Sequence, residues 1–142
     1  MIKAEELAIK PSNISHQEAA SIPLVGLTAW QAIVTKGNRH KGQRVLIHAG
    51  SGGVGILAIQ MAKPLGAEVA TTASAANFEL VKNLGADVVI DYKTQEFEEE
   101  LTDYDLVLDM MGGEVLERSF KVLKKEGCLV SIRGQDPGGG LD

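Results

Sequence analysis

Cysteine is almost missing from this chain. A single residue in 142, Cys128, rules out an intrachain disulfide and suits a reducing compartment. Aromatic side chains make up only 4%, and the 14 Lys and Arg are scattered and outnumbered by 19 Asp and Glu. The chain therefore has neither a basic stripe to track phosphates nor a platform for stacking bases, and no nucleic-acid partner is expected. No segment approaches the ~18 consecutive apolar residues of a membrane span, so no membrane partner is expected either. The N-terminus, MIKAEELAIK, carries acids where a signal peptide carries basic and then apolar residues, which points to a cytoplasmic protein. His16, His40 and His48 lie apart, with no Cys or acid at ligand spacing, so no metal site assembles. His16 and His40 are expected in solvent, and His48 either packed or near a ligand. Gly50-Ser51-Gly52 lacks the G-x-S-x-G spacing of a nucleophile elbow, and no Gly-Lys-Ser/Thr follows to make a P-loop.

What is present is ordinary in amount and particular in arrangement. The length suits one domain, net charge −5 and 44% hydrophobic residues suit a globular one, and glycine is the inflated count at 16 residues. From Arg44 onward, short β-branched runs alternate with helical patterns, as in βαβ units. The runs are Arg44 to Ala49, Glu68 to Thr72, Asp87 to Asp91, Asp105 to Asp109 and Cys128 to Ile132. They are almost continuously apolar, as strands are when helices cover both faces of a parallel sheet. Right-handed crossovers then give a doubly wound, Rossmann-like α/β sheet of about five strands.

Helix signals fill the crossovers. Gly53 to Leu65 has an apolar face of Val54, Leu57, Ala58, Met61 and Leu65, with Gly66 as its C′ residue and Pro64 in its last turn. Asn77 to Leu84, Glu96 to Leu101 (begun at Thr94) and Gly113 to Lys125 (closed by Gly127) are the others. Ahead of the sheet, Ser15-x-x-Glu18 is a capping box, Pro23 interrupts, and Leu24 to Val34 resumes, giving a helical lead-in. Ile2 to Pro11 looks extended, and the Gly-rich tail from Gln135 looks flexible.

The glycine excess concentrates in His48-Ala49-Gly50-Ser51-Gly52-Gly53-Val54-Gly55, where Gly50, Gly52 and Gly55 fit G-x-G-x-x-G between a strand and a helix. In a dinucleotide site the first glycine allows the tight turn, the second lets backbone approach a pyrophosphate, and the third lets helix pack on strand. The helix start, at Gly53 and Val54, presents unpaired N–H groups and the positive dipole end, and Ser51 adds a hydroxyl donor. A turn of this kind can also exist for packing alone; its place in the first unit of a five-strand parallel pattern favours a nucleotide. Ala70 to Ser74 holds no acid for a ribose 2′-OH, which permits a 2′-phosphate without selecting it. Ser74, Asn77 and Tyr92 offer donors, while Lys93 is either a phosphate partner or a solvated charge. Met110 and Met111 after the fourth strand, and Arg133 after the fifth, stand where the carboxyl ends of strands place ligands; packing for the Met pair and plain surface for Arg133 are the competing readings.

Four segments together resemble one family: Ala19-Ala20-Ser21-Ile22-Pro23-Leu24-Val25-Gly26-Leu27-Thr28-Ala29-Trp30, Lys41 to Ala49, Gly52-Gly53-Val54-Gly55, and Leu84-Gly85-Ala86-Asp87-Val88-Val89-Ile90-Asp91-Tyr92. In this order they look like the zinc-independent, zeta-crystallin-like quinone oxidoreductase branch of the medium-chain dehydrogenase/reductase superfamily. The resemblance implies a pyrophosphate turn at Ala49-x-x-Gly52-x-x-Gly55. It implies NADPH more than NADH, with Ser74, Asn77 and Tyr92 around the 2′-phosphate and Thr28 near the phosphate or nicotinamide. It also implies hydride transfer to a quinone or enone, no metal, and a possible homodimer. Asn77 stands where the family commonly has Lys, which weakens the 2′-phosphate contact.

Family members also carry an N-terminal catalytic domain and a further strand after the fifth. The expectation is therefore a connector remnant at 1–14, a dinucleotide-binding domain at 15–134 and a tail at 135–142, inactive alone. The cofactor half of a zinc alcohol dehydrogenase, an enoyl reductase module and a non-catalytic nucleotide-sensing or interaction domain are the alternatives.

Overall fold

The computed structural model describes residues 1–37 and 41–133. Five parallel strands form one sheet: β1 (Arg44–Ile47), β2 (Glu68–Ala73), β3 (Val88–Asp91), β4 (Tyr104–Asp109) and β5 (Leu123–Ser131), in spatial order β3-β2-β1-β4-β5. Chain order runs outward from β1 in both directions. The crossovers therefore change sides between β1 and β4, and a crevice opens at the carboxyl ends of these strands. This is the Rossmann-like architecture expected from the alternating pattern.

Strand side chains alternate between two cores. Val45, Ile47, Val69, Leu106 and Leu108 join Ala58, Ile59 and Ala62 of α3 (Gly53–Ala62) on one face. Leu46, Ala70, Ile90 and Val107 join Phe97 of α5 (Phe97–Glu100) and Val122 on the other. Val45, Leu46 and Ile47 are all fully buried, because each face of β1 has its own cover. Register Leu46↔Ala70 and Leu46↔Val107 places the three central strands level, so their carboxyl ends finish together.

The lead-in follows its punctuation. Ser15 Oγ accepts the Glu18 N–H at 3.1 Å, and Glu18 Oε2 accepts the Ser15 N–H at 2.7 Å, starting α1 (His16–Ser21). Pro23 then takes the N1 position of α2 (Pro23–Trp30), where its missing N–H costs nothing, and the segment runs on as a π-helical turn over Gln31–Lys36. The expected extended segment at Ile2 to Pro11 contains a 3₁₀ turn, Ala4–Glu6.

Several boundaries differ from the sequence expectation. The first strand ends at Ile47 instead of Ala49, and the third begins at Val88. Helix α3 stops at Ala62: Lys63 keeps helical backbone angles and bonds Ile59 O, Pro64 has no N–H to continue the ladder, and the chain turns at Gly66 with φ +81°. The expected helix Asn77 to Leu84 divides into a 3₁₀ turn, Ala75–Asn77, and α4 (Phe78–Asn83), and α5 is a single turn with Glu96 at its N-cap position and no side-chain cap.

The largest correction concerns Gly113 to Lys125. Helix α6 covers only Gly113–Ser119, and β5 begins at Leu123, paired with Tyr104. Gly127 thus lies inside β5 and does not end a helix. A Cβ there would sit 2.9 Å from Tyr104 O, so the register shift beside Tyr104 requires the close approach. The tail from Gln135, and His40, lie outside the described residues.

Candidate functional site

The Gly-rich turn between β1 and α3 departs from its expected rationale. Ala49, a non-glycine residue, takes the left-handed conformation, with φ +50°. Gly50 is required for packing instead: a Cβ there would fall 2.0 Å from Thr71 Oγ1 on β2. Gly55 answers to the expected close approach, its imagined Cβ lying 2.4 Å from Ala49 O. Gly52 sits at the N-cap with no side-chain cap, and the first N–H bonded back to it is that of Ile56, at 2.9 Å. The N–H groups of the first turn of α3 therefore face outward, at the positive end of the helix dipole.

In front of this turn lies a cleft of about 360 Å³ at the carboxyl ends of the strands. Ala49, Ser51 and Gly52 form one wall, Tyr92 and Met111 stand at its mouth, and Phe97, Val115 and Arg118 form the opposite wall. Five expected site residues thus meet in one cavity. Met110 instead packs against the core.

The remaining expected residues fall into groups around the cleft. Asn77 Nδ2 donates to Ser51 Oγ at 3.3 Å and lies 3.2 Å from Ser74 Oγ, joining the end of β2 to the turn. The side-chain positions of Gly50, Gly53, Val54 and Gly55 lie outside the cleft lining: Val54 packs on the core, and Gly53 lies against Val25 of α2. Thr28, one helical turn past Val25, donates to Leu24 O at 2.8 Å and stays outside the cleft. Arg133 lies over Gly112, beside the Met111 loop and outside the lining.

Sequence reasoning missed the wall contributed by α5 and α6. Arg118 donates to both carboxylate oxygens of Glu98, at 2.5 and 2.6 Å, pairs with Glu96, and stacks over Phe97 at 4.9 Å. The bond to Arg118 holds the Glu98 carboxyl below its ordinary range and Arg118 above its own. Asp109, fully buried at the end of β4, accepts the N–H groups of Met111 and Gly112 at 3.0 and 3.1 Å and the Ser131 hydroxyl at 2.8 Å. It fixes the loop that presents Met111. An Asp closing an apolar strand just before a Gly pair was the available signal.

His48 is packed as well as cleft-lining. Only 1% exposed, it meets Thr72 Oγ1 through Nδ1 at 3.3 Å and Ser119 Oγ through Nε2 at 2.9 Å, with Phe97 edge-on at 4.7 Å. Burial brings its pKa down from 6.5 to about 4; Asp109 and Glu98 oppose that shift and Arg118 adds to it. At neutral pH the ring is uncharged.

A glycine-rich turn, an uncapped helix start and a cleft at the switch point of a parallel sheet define the class of dinucleotide-binding Rossmann domains. Residues 53–140 match the family model described as zinc-binding dehydrogenase, and the chain belongs to that family, on its quinone oxidoreductase-like branch. It is 45% identical over 131 residues to the mitochondrial NAD(P)H oxidoreductase RTN4IP1 of Danio rerio, covering 87% of this chain and 34% of the relative. It is 38% identical over 135 residues to the 2-methylene-furan-3-one reductase of Solanum lycopersicum, covering 94% and 34%. The quinone oxidoreductase structure from Coxiella burnetii superposes with a TM-score of 0.82 at 46% identity, covering 86% of this chain and 38% of that one. The chain spans about a third of the length of the curated relatives it matches. Despite the family's name, no group of three or more His, Cys, Asp or Glu among the described residues could hold a metal ion, and none of their helices is long and apolar enough to cross a membrane.

Proposed function

We propose that this chain is the nicotinamide-dinucleotide-binding part of an NADPH-dependent oxidoreductase acting on a quinone or enone, and that it is inactive alone. The observation that carries this reading is the cleft in front of the uncapped start of α3, where Gly52 leaves the backbone bare. A pyrophosphate fits there, received by the outward N–H groups of Gly53 and Val54 and by Ser51. When bound, the cofactor supplies hydride from the nicotinamide C4. The chain's residues bind and orient it: Met111 and Tyr92 offer apolar surface at the mouth, and the cluster of Ser51, Ser74 and Asn77 offers donors to a 2′-phosphate. The stretch Ala73 to Phe78 holds no acid, so nothing there repels such a phosphate. The named activities of the relatives support the same reaction class.

We assign residues 1–14 to a connector, 15–134 to the binding domain and 135–142 to a tail. Leu24, Leu27 and Trp30 of α2 are 81%, 62% and 52% exposed, which supports a further part of a longer protein lying over this helix. Strand β5 lies at the sheet edge, the feature that supports a homodimer. Free Cys128 supports a reducing compartment, and we propose the cytoplasm; two matched relatives are named as mitochondrial and chloroplastic proteins, so fractionation of cells expressing the tagged parent protein is the check. Isothermal titration of the chain with NADPH and NADH tests the central claim. Binding of both, with NADPH tighter, is expected. No heat with either would overturn the reading.

A further inference from the structure

Ser119 has one hydroxyl hydrogen and gives it to Val115 O at 2.6 Å. Its oxygen, 2.9 Å from His48 Nε2, must then accept, so Nε2 carries the imidazole proton. In a neutral ring Nδ1 is left as a bare acceptor, and Thr72 Oγ1 stands 3.3 Å from it. Thr72 gives its hydrogen to Nδ1, while Oγ1 accepts the Ala49 N–H at 3.0 Å. One arrangement satisfies every atom: Ala49 donates to Thr72, Thr72 to His48, His48 to Ser119, and Ser119 to Val115. The carbonyl of Thr72 also accepts the Gly50 N–H at 3.0 Å, so this one residue clamps two successive N–H groups of the turn.

The chain ends where backbone is under strain. Ala49 holds φ +50°, a conformation that disfavours a residue with a Cβ and persists only when its surroundings enforce it. Its neighbours Ser51 and Gly52 line the cleft. We propose that His48 is a positioning residue for the Gly-rich turn: its Nε2-protonated ring carries a one-way hydrogen-bond chain from α6 to Ala49. That chain holds Ala49 left-handed and sets the direction of the backbone donors beyond it. The link to ligand binding rests on the dinucleotide reading above. Ser119 is fully buried and absent from the cleft lining, so its influence on the turn runs through His48.

The test uses the full chain labelled with ¹⁵N, its His48 ring and Ala49 amide observed by NMR near pH 7. The wild type is expected to show the neutral, Nε2-protonated tautomer. Ser119→Ala removes the acceptor of Nε2 and is expected to mix the tautomers, move the Ala49 amide resonance and weaken NADPH binding roughly three- to tenfold, the scale of one hydrogen bond. Thr72→Val is expected to weaken binding by about tenfold or more, and Thr72→Ser, which keeps the hydroxyl, to restore it to within about twofold. An Nδ1-protonated ring in the wild type, or a Ser119→Ala variant with both ring and Ala49 amide unchanged, overturns the proposal. If Thr72→Val fails to fold, the Ser119→Ala spectra decide. Failure of the wild type to bind either nucleotide, with the spectra as expected, would overturn the dinucleotide reading and leave the chain from α6 to Ala49 standing.

Discussion

Lowering the pH from 7.5 to 5 should destabilise this protein through His48 before Asp87 or Glu98 contributes. Burial holds the folded-state pKa near 4, against 6.5 for the free side chain. The unfolded state therefore binds more protons than the folded state between those values, and stability must fall as pH falls through that window. Well above pH 6.5 both states are neutral at this position and the group has no pH dependence; well below pH 4 both are charged and the full loss has been taken. The shift corresponds to about 3 kcal/mol in all, at 1.36 kcal/mol per unit. About 2 kcal/mol of it is lost between pH 7.5 and 5.

The carboxyls of Asp87 and Glu98, held below their ordinary values of 3.8 and 4.5, add stability that is lost at lower pH still. The window from 7.5 to 5 is thus mainly the histidine's. Urea denaturation followed by circular dichroism at five pH values gives the slope, and His48→Gln, which cannot take up a proton there, should flatten it whatever its own stability. An unchanged slope in that variant would refute the assignment, as would a wild-type curve that is level across the window. Direct NMR titration of the His48 ring gives the folded-state value independently of any variant.

Other substitutions probe separate parts of the site. Gly50→Ala drives a methyl to 2.0 Å from Thr71 Oγ1 and should cost about 1–3 kcal/mol in denaturation; pairing it with Thr71→Ala should recover part of the loss, giving a non-additive cycle. Asp109→Asn turns an acceptor of three donors into a group with donors of its own. A loss of about 2 kcal/mol and faster amide exchange at Met111 and Gly112 are expected. Asn77→Lys places a cation beside Ser51 and Ser74 and should raise the preference for NADPH over NADH several-fold, an effect that shrinks with added salt in titration calorimetry.

The centre of the sheet was legible because strands β1 and β4 are buried on both faces. Val45-Leu46-Ile47 and Leu106-Val107-Leu108 show no alternation, and that signature is independent of what the neighbouring segments do. Boundaries governed by partners distant in sequence were not legible. Leu123 to Glu126 carry helix-compatible residues, and the strand begins there because Leu123 pairs with Tyr104 of β4, the register shifting before Cys128 pairs with Leu106. Propensity gave way to strand pairing there.

The site divides along the same line. Residues contiguous with the turn, from Ala49 to Gly55, could be named from spacing, because a phosphate-facing turn is local and its glycines are its mark. The wall opposite could not: Phe97 and Arg118 are 21 positions apart and meet only because α5 and α6 cover one sheet face. The role of the first glycine was misassigned for a related reason. The clash that demands Gly50 comes from Thr71, a residue of the neighbouring strand, while the strained backbone falls one position earlier, at Ala49. Ala49 keeps that conformation through a hydroxyl on β2, an imidazole after β1 and a serine on α6. A turn that looks autonomous in sequence is thus held by three elements of the sheet and its cover. The glycine pattern marks where a dinucleotide would lie, and the buried polar chain behind it sets how firmly the donors are aimed.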